Sequence, residues 1–286
     1  MTNIKSKTPV NLSEFNALLE VVATLRGPEG CLWDQEQTHL SLAPYLVEEC
    51  YELTEAIEKY HEHPQSPSLT QEFKEELGDV LFQVALHSQL AEEKKLFSLQ
   101  DVIQTLNEKL VRRHPHVFNR NENSDKISSD SVVKKWEEIK KSEKSNSSSS
   151  PIQVSQALPS LYRAFKIGKK TQTLTFDWNS PAEVMEKVDE ELKELKAELN
   201  KENNKEKIGE ELGDLFFSLA QLARHLSLEP EQVLRKANRK FENRFECMWK
   251  LFTSTHPETD FSTLSLQEKE DLWKMAKKKT SLNIEH

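Results

Sequence analysis

Glycine is scarce: six occur in 286 residues, at positions 27, 30, 78, 168, 209 and 213, and no three fit a Gly-x-Gly-x-x-Gly or Walker A spacing. Phosphate chemistry in this chain must therefore rely on side chains or a metal ion. Cysteine is limited to Cys31, Cys50 and Cys247, an odd number, and the first ten residues hold no apolar core. This pattern predicts a reduced, cytoplasmic protein. No apolar run approaches the ~18 residues that a bilayer demands, the nearest being the interrupted stretch 80–86, so a membrane-spanning helix is excluded. Positive charge is also in deficit. Lys and Arg number 39 against 48 Asp and Glu, a net charge of −9, which disfavours a grip on nucleic acid backbone.

What remains is a strongly charged chain, 30% Asp, Glu, Lys and Arg, with a mean hydropathy of −0.70. That composition suits amphipathic helices with charged outer faces and predicts an all-α fold. Leu12, Phe15, Leu18, Leu19 and Val22 recur at helical spacing, and a Gly/Pro loop follows at 26–30. Helices are expected over 42–60, 70–93 and 99–113, separated by prolines at 64, 67 and 115. After Asn119 the composition turns to Asn, Ser, Asp and Lys, with one amphipathic island at 132–140 and a serine run before Pro151. Helical periodicity resumes at 161–170, 181–199, 205–226 and 231–252, and a lysine-rich tail follows. The expected organisation is two tandem helical-bundle domains, 1–140 and 158–286, joined by a Ser-rich linker over 141–157.

An internal repeat supports that division. Glu75-Glu76-Leu77-Gly78-Asp79-Val80-Leu81-Phe82 returns as Glu210-Glu211-Leu212-Gly213-Asp214-Leu215-Phe216-Phe217. Upstream of each copy lies a second acidic cluster, around Glu49 and Glu52 and around Glu191 and Glu194. Downstream of each lies a basic helix, with Lys109, Arg112 and Arg113 in one copy and Lys236, Lys240 and Arg244 in the other.

Each half thus offers Glu-x-x-Glu on one helix and Glu-x-x-Asp on the next, and a spacing of three places each pair on one helical face. Like charges so placed cost ~0.2–0.5 kcal/mol per pair, and four together cost more. A cation is the expected compensation. Oxygen donors without His or Cys favour Mg²⁺ or Mn²⁺ over Zn²⁺, and Mg²⁺ completes its shell with water and phosphate oxygens. A phosphorylated ligand is therefore implied, with the basic stripe Lys236, Lys240 and Arg244 available to its phosphates. A glycine inside each Glu-Leu-Gly-Asp costs its helix ~1 kcal/mol, which suggests close backbone approach there.

Other readings stand beside this one. Acidic and basic stripes are often only solvated helix faces. A di-iron bundle needs Glu-x-x-His pairs, and the two present, Glu36 with His39 and Glu58 with His61, lie beside a loop and at a helix end. A non-catalytic, nucleotide-binding regulatory module is the main alternative, above all for the first domain. His61, His63, His114 and His116 read as turn and helix-end residues, and Trp33 and Trp178 as core residues rather than walls of a base pocket.

The two carboxylate quartets, together with Gly30-Cys31-Leu32-Trp33-Asp34, Arg112-Arg113-His114-Pro115-His116-Val117-Phe118 and Lys236-Ala237-Asn238-Arg239-Lys240-Phe241-Glu242, resemble the MazG-type nucleoside triphosphate pyrophosphohydrolases of the all-α NTP pyrophosphatase superfamily. The resemblance implies Mg²⁺-dependent hydrolysis of nucleoside triphosphates to monophosphate and pyrophosphate by a homodimer, with Mn²⁺ as a substitute metal. It implies metal ligation by Glu191, Glu194, Glu211 and Asp214, assistance from Glu190 or Glu210, and phosphate binding by Lys207, Lys240 and Arg244. Catalysis is expected in the second domain, while Glu49, Glu52, Glu76 and Asp79 keep a complete quartet in the first. Glu190, adjacent to the ligand pair and turned off its face, is the expected general base.

Overall fold

In a computed structural model, residues 11–118, 152–201 and 204–282 are described, together with Pro9, Val132 and Ile139. The serine run and all but two residues of the expected island at 132–140 lie outside them. Contacts divide the chain into two compact units, Met1–Asn146 and Ser147–His286. The regular structure among the described residues is helical, with no strand.

The first unit contains α1 (Phe15–Arg26), α2 (Leu32–Glu36), α3 (His39–Glu62), α4 (Pro67–Glu93), α5 (Leu99–Arg113) and the single turn α6 (Pro115–Phe118). His39 meets His87 at one end of α3 and Lys59 meets Glu72 at the other, so α3 and α4 run antiparallel. Val22, Leu42, Ala85, Leu86 and Leu90 form the core beneath them. Arg26 clamps this arrangement: its guanidinium pairs with Glu93 at 2.7 Å and donates to the carbonyl of Asp34, joining α1, α2 and α4.

The second unit contains α7 (Ser160–Gln172), α8 (Pro181–Leu199), α9 (Lys205–His225), α10 (Pro230–Thr255) and α11 (Leu266–Leu282), with a 3₁₀ turn at Phe261–Thr263. The α8–α9 pair corresponds to α3–α4. Val184 and Val188 of α8, Ala220 of α9 and Phe165 of α7 are buried, while Met248, Phe252, Leu264, Leu272 and Ala276 make a second cluster between α10 and α11.

Several boundaries differ from the sequence expectation for local reasons. Helix α3 begins at His39 rather than near residue 42, because Thr38 and Ser41 form a reciprocal capping box: Ser41 N donates to Thr38 Oγ1 at 3.1 Å and Thr38 N to Ser41 Oγ at 2.9 Å. Pro44 is then carried inside the helix. Pro67 opens α4 instead of breaking the chain, since the N–H at a first helical position has no intrahelical acceptor to lose and Ser66 caps the turn. Helix α2 was not expected, and neither was α11. In α11, Leu272 and Ala276 are one turn apart and buried, a periodicity obscured by the lysines around it.

The glycine expectation also needs correction. A Cβ at Gly78 or Gly213 would meet nothing within 4 Å, so neither marks a close approach within the chain. Gly168 does: a Cβ there would fall 1.8 Å from Gln221 Oε1. The absent side chain admits a buried network in which Gln221 donates to the Ala164 carbonyl at 2.8 Å and Arg224 Nη1 donates to Asp177 at 2.9 Å.

Candidate metal centre

The acidic pairs of each unit converge because their helices are adjacent and antiparallel. Glu49 of α3 with Glu76 and Asp79 of α4, and Glu191 of α8 with Glu211 and Asp214 of α9, each offer oxygens within 4.8 Å of one another. With metal–oxygen distances of about 2.1 Å, neighbouring ligands of an octahedral ion lie roughly 3 Å apart and opposite ones roughly 4.2 Å. The donor sets fit a divalent cation with small side-chain adjustment.

Glu52 and Glu194, the other members of the expected quartets, are not among these triads, but they border them: the charge of Glu52 acts on Glu49 and Glu76, and Glu194 meets Glu211. Burial first, then the charges of Asp79 and Glu52, push the Glu49 carboxyl up, while a hydrogen bond from Gln83 opposes them. Burial, Glu52 and Asp79 raise Glu76 likewise, and its Oε2 is buried without a partner. In the second unit burial, then Glu194 and Glu191, raise Glu211, which also shares a hydrogen bond with Glu194. Crowded carboxylates held above their ordinary range are what a cation would relieve.

Of the assisting residues, Glu190 is exposed and tied to the site through Lys187, whose Nζ lies 3.0 Å from Glu190 Oε1 and 2.7 Å from Glu191 Oε1. Glu191 itself is 5% exposed. Lys187 is the residue the sequence reading missed, although its position one turn before Glu191 was a usable signal. These two carboxylates push its ammonium pKa far up. Glu210 is exposed and does not join the triad.

The phosphate-binding candidates are more dispersed. Lys207 is exposed at the start of α9, where its charge acts on Glu198. Lys240 is exposed and Arg244 half-buried on α10, and neither forms an ion pair with a carboxylate among the described residues. The apolar stripe beside them is only partly covered: Met248 is buried, but Val233, Phe241 and Phe245 are exposed. Trp33 is exposed, contrary to its reading as core, and meets Tyr45 edge to face. Trp178 is half-buried against His225.

The MazG nucleotide pyrophosphohydrolase domain model matches residues 37–118 and 179–249, one segment in each unit, and each segment contains one acidic triad. The chain is 43% identical to the nucleoside triphosphate pyrophosphohydrolase/pyrophosphatase MazG of Thermotoga maritima over 267 residues, covering 92% of this chain and 95% of that one. It is 36% identical to the nucleoside triphosphate pyrophosphohydrolase of Escherichia coli K12, over 93% of this chain and 98% of the relative. The protein YabN of Bacillus subtilis is 40% identical over 92% of this chain, which spans 52% of YabN. The chain belongs to the MazG nucleotide pyrophosphohydrolase family.

Proposed function

We infer that this chain hydrolyses nucleoside triphosphates to nucleoside monophosphate and pyrophosphate, with Mg²⁺ as the physiological metal and Mn²⁺ as a substitute. The observation that carries the reading is the second unit's triad, Glu191, Glu211 and Asp214, with a lysine already seated against it. These three residues, with Glu194 beside them, would hold the cation. When bound, it supplies neutralisation of phosphate oxygen charge.

The protein's own groups supply the remaining requirements. Water attacks the α phosphorus, the bond from that phosphorus to the bridging oxygen breaks, and pyrophosphate departs. Glu190, exposed and next to the ligand pair, accepts the proton from the water, with Glu210 as the second candidate. Lys187, paired with Glu191 in this structure, would join Lys207, Lys240 and Arg244 as a countercharge to the phosphates once a cation took its place on Glu191. Incubation of the purified chain and Mg²⁺ with a panel of NTPs and dNTPs, analysed by anion exchange, must give monophosphate and pyrophosphate together. Diphosphate with phosphate would refute this reaction.

Metal binding should depend on pH with a defined sign. A proton on Glu211 competes with the cation, so affinity falls as pH drops through that raised carboxyl value. In the metal-free protein a raised carboxyl favours folding when protonated: this contribution is full below the ordinary carboxylate value and is lost as pH rises through the raised one. Added Mn²⁺ should therefore raise the melting temperature of the second unit most near neutrality, and the increment should vanish on acidification. Lys187→Met removes the competing ammonium and should tighten Mn²⁺ binding several-fold in a calorimetric titration while lowering turnover. Weaker binding would mean that Lys187 instead orients Glu191.

The active form is proposed to be a homodimer. Leu161, Phe216, Phe217, Leu219 and Leu234 line an apolar groove of about 720 Å³ with Gly213 on its wall, and Phe216 is 52% exposed. An open apolar surface of this kind suits a second copy of the chain, and the bare backbone of Gly213 would admit it closely. Light scattering should give twice the 33.2 kDa chain mass, falling to a single chain in Phe216→Asp. A wild-type monomer would overturn the assignment. Among the described residues no helix is long and apolar enough to cross a membrane, and with nucleotide substrates and three free cysteines the cytoplasm is the proposed location.

A further inference from the structure

The first unit carries a polar stripe that the proposed reaction does not use. Glu76 Oε2, Gln83 Oε1 and His87 Nε2 are all buried and all without a hydrogen-bond partner. Their positions on α4 are separated by seven and four residues, so they share one helical face. Gln83 is 5% exposed; its amide donates to Glu49 while its carbonyl oxygen is unmatched. His87 Nδ1 lies 2.9 Å from His39 Nδ1 across the α3–α4 seam, with the two rings stacked. One ring therefore donates and the other accepts. Buried polar groups normally find partners, and three orphans in one line call for a physical explanation.

The internal repeat sharpens the point. Superposing the two Glu-Leu-Gly-Asp copies places Ser218 at the position of Gln83 and Leu222 at that of His87, so the second unit lacks this stripe. Conversely, Tyr45 stands where the second unit has Lys187, and Glu72, paired with Lys59 at 2.8 Å, stands where it has Lys207. The first unit thus keeps the carboxylate triad, gains neutral hydrogen-bonding groups and loses two cations suited to a long phosphate chain. Asp79 to His87 is eight residues, a rise of about 12 Å along the helix, comparable with the reach from a 5′-phosphate to the far edge of its base.

We propose that the α3–α4 seam is a second, non-hydrolysing site that takes a nucleoside monophosphate through a divalent cation, with the cation at Glu49, Glu76 and Asp79 and the base read by Gln83 and His87. Gln83 Oε1 accepts an N–H from the base, and His87 Nε2 meets its polar edge. Asp79 is exposed and marks the mouth of the site. The ligand is then the product class of the reaction proposed above, on which this inference rests, and the first unit becomes a sensor of that product.

The test is equilibrium dialysis of the full-length chain carrying Asp214→Asn, with Mn²⁺ and each of AMP, CMP, GMP and UMP. The expected result is Mn²⁺-dependent binding of at least one monophosphate, one per chain, weakened tenfold or more by adding Gln83→Leu. Gln83→Leu should leave the melting temperature unchanged or higher, because the penalty of the buried, unmatched Gln83 Oε1 goes with it and offsets the lost hydrogen bond to Glu49; a purely structural glutamine would lower it. His87→Phe, which keeps the ring, provides a second variant and should weaken binding similarly. No Mn²⁺-dependent binding, or binding indifferent to both variants, would overturn the inference. Pyrophosphate release by the wild-type chain, assayed in parallel, reports separately on the underlying reaction.

Discussion

Replacing Asp214 with Asn should lower pyrophosphate release by about a hundredfold or more, whereas Asp79→Asn should leave it within about twofold. Both substitutions remove one charge from equivalent positions in the repeat, and both side chains are exposed members of a triad, so neither should greatly disturb folding. The difference lies in what surrounds them. The second triad has Lys187 within 2.7 Å of Glu191, with Lys207 one turn before Glu211; the first has Tyr45 and the already paired Glu72 in those places. Loss of a metal ligand that stabilises developing charge costs several kcal/mol, and each 1.36 kcal/mol is about tenfold in rate. Steady-state pyrophosphate release measures it. An equal loss in both variants would place turnover in both units.

Removing Arg224 should destabilise the second unit more than any surface change. Its guanidinium is 4% exposed, donates to Asp177 and Gln221, and lies over the gap left by Gly168. Burial pushes the Asp177 carboxyl up, but hydrogen bonds from Arg224 and His225 outweigh it and hold the group below its ordinary value. Arg224→Ala strands that carboxylate in the interior, at a cost of about 3–5 kcal/mol. For a unit of this size this corresponds to roughly 10–20 °C in melting temperature, readable by scanning calorimetry. Asp177→Asn combined with Arg224→Met should recover part of the loss, since no buried charge is left unpaired. The contribution of Asp177 is present above the ordinary carboxylate value and fades as pH falls through its depressed one. A shift of only a degree or two would show that the network is dispensable.

How far the sequence revealed this structure depends on the kind of signal. Helices α5 and α8 match the expected 99–113 and 181–199 at both ends, because Ser98 and Ser180 cap clear apolar periods. The start of α3 was harder: a hydroxyl capping box of four residues, Thr38 to Ser41, leaves little compositional trace, and Pro44 suggested a later start. The acidic clusters were legible as charge pairs at a spacing of three. Spacing along one helix cannot decide which of four carboxylates converge most tightly across two, so it did not single out Glu49, Glu76 and Asp79 or Glu191, Glu211 and Asp214 from their quartets. Lys187 was readable as a cation one turn before Glu191, but its weight comes from the burial of Glu191, which spacing does not show; Gln83 is polar in a stretch that reads as core and carried no such signal.

The central claim is attack of water on the α phosphorus at the second unit's centre. Hydrolysis of ATP by the full-length chain with Mg²⁺ in ¹⁸O-labelled water, followed by anion-exchange separation and mass spectrometry, tests it most directly. The account predicts one ¹⁸O in AMP and none in pyrophosphate, with both products absent in Asp214→Asn. Label in pyrophosphate, or products of ADP and phosphate, would contradict it.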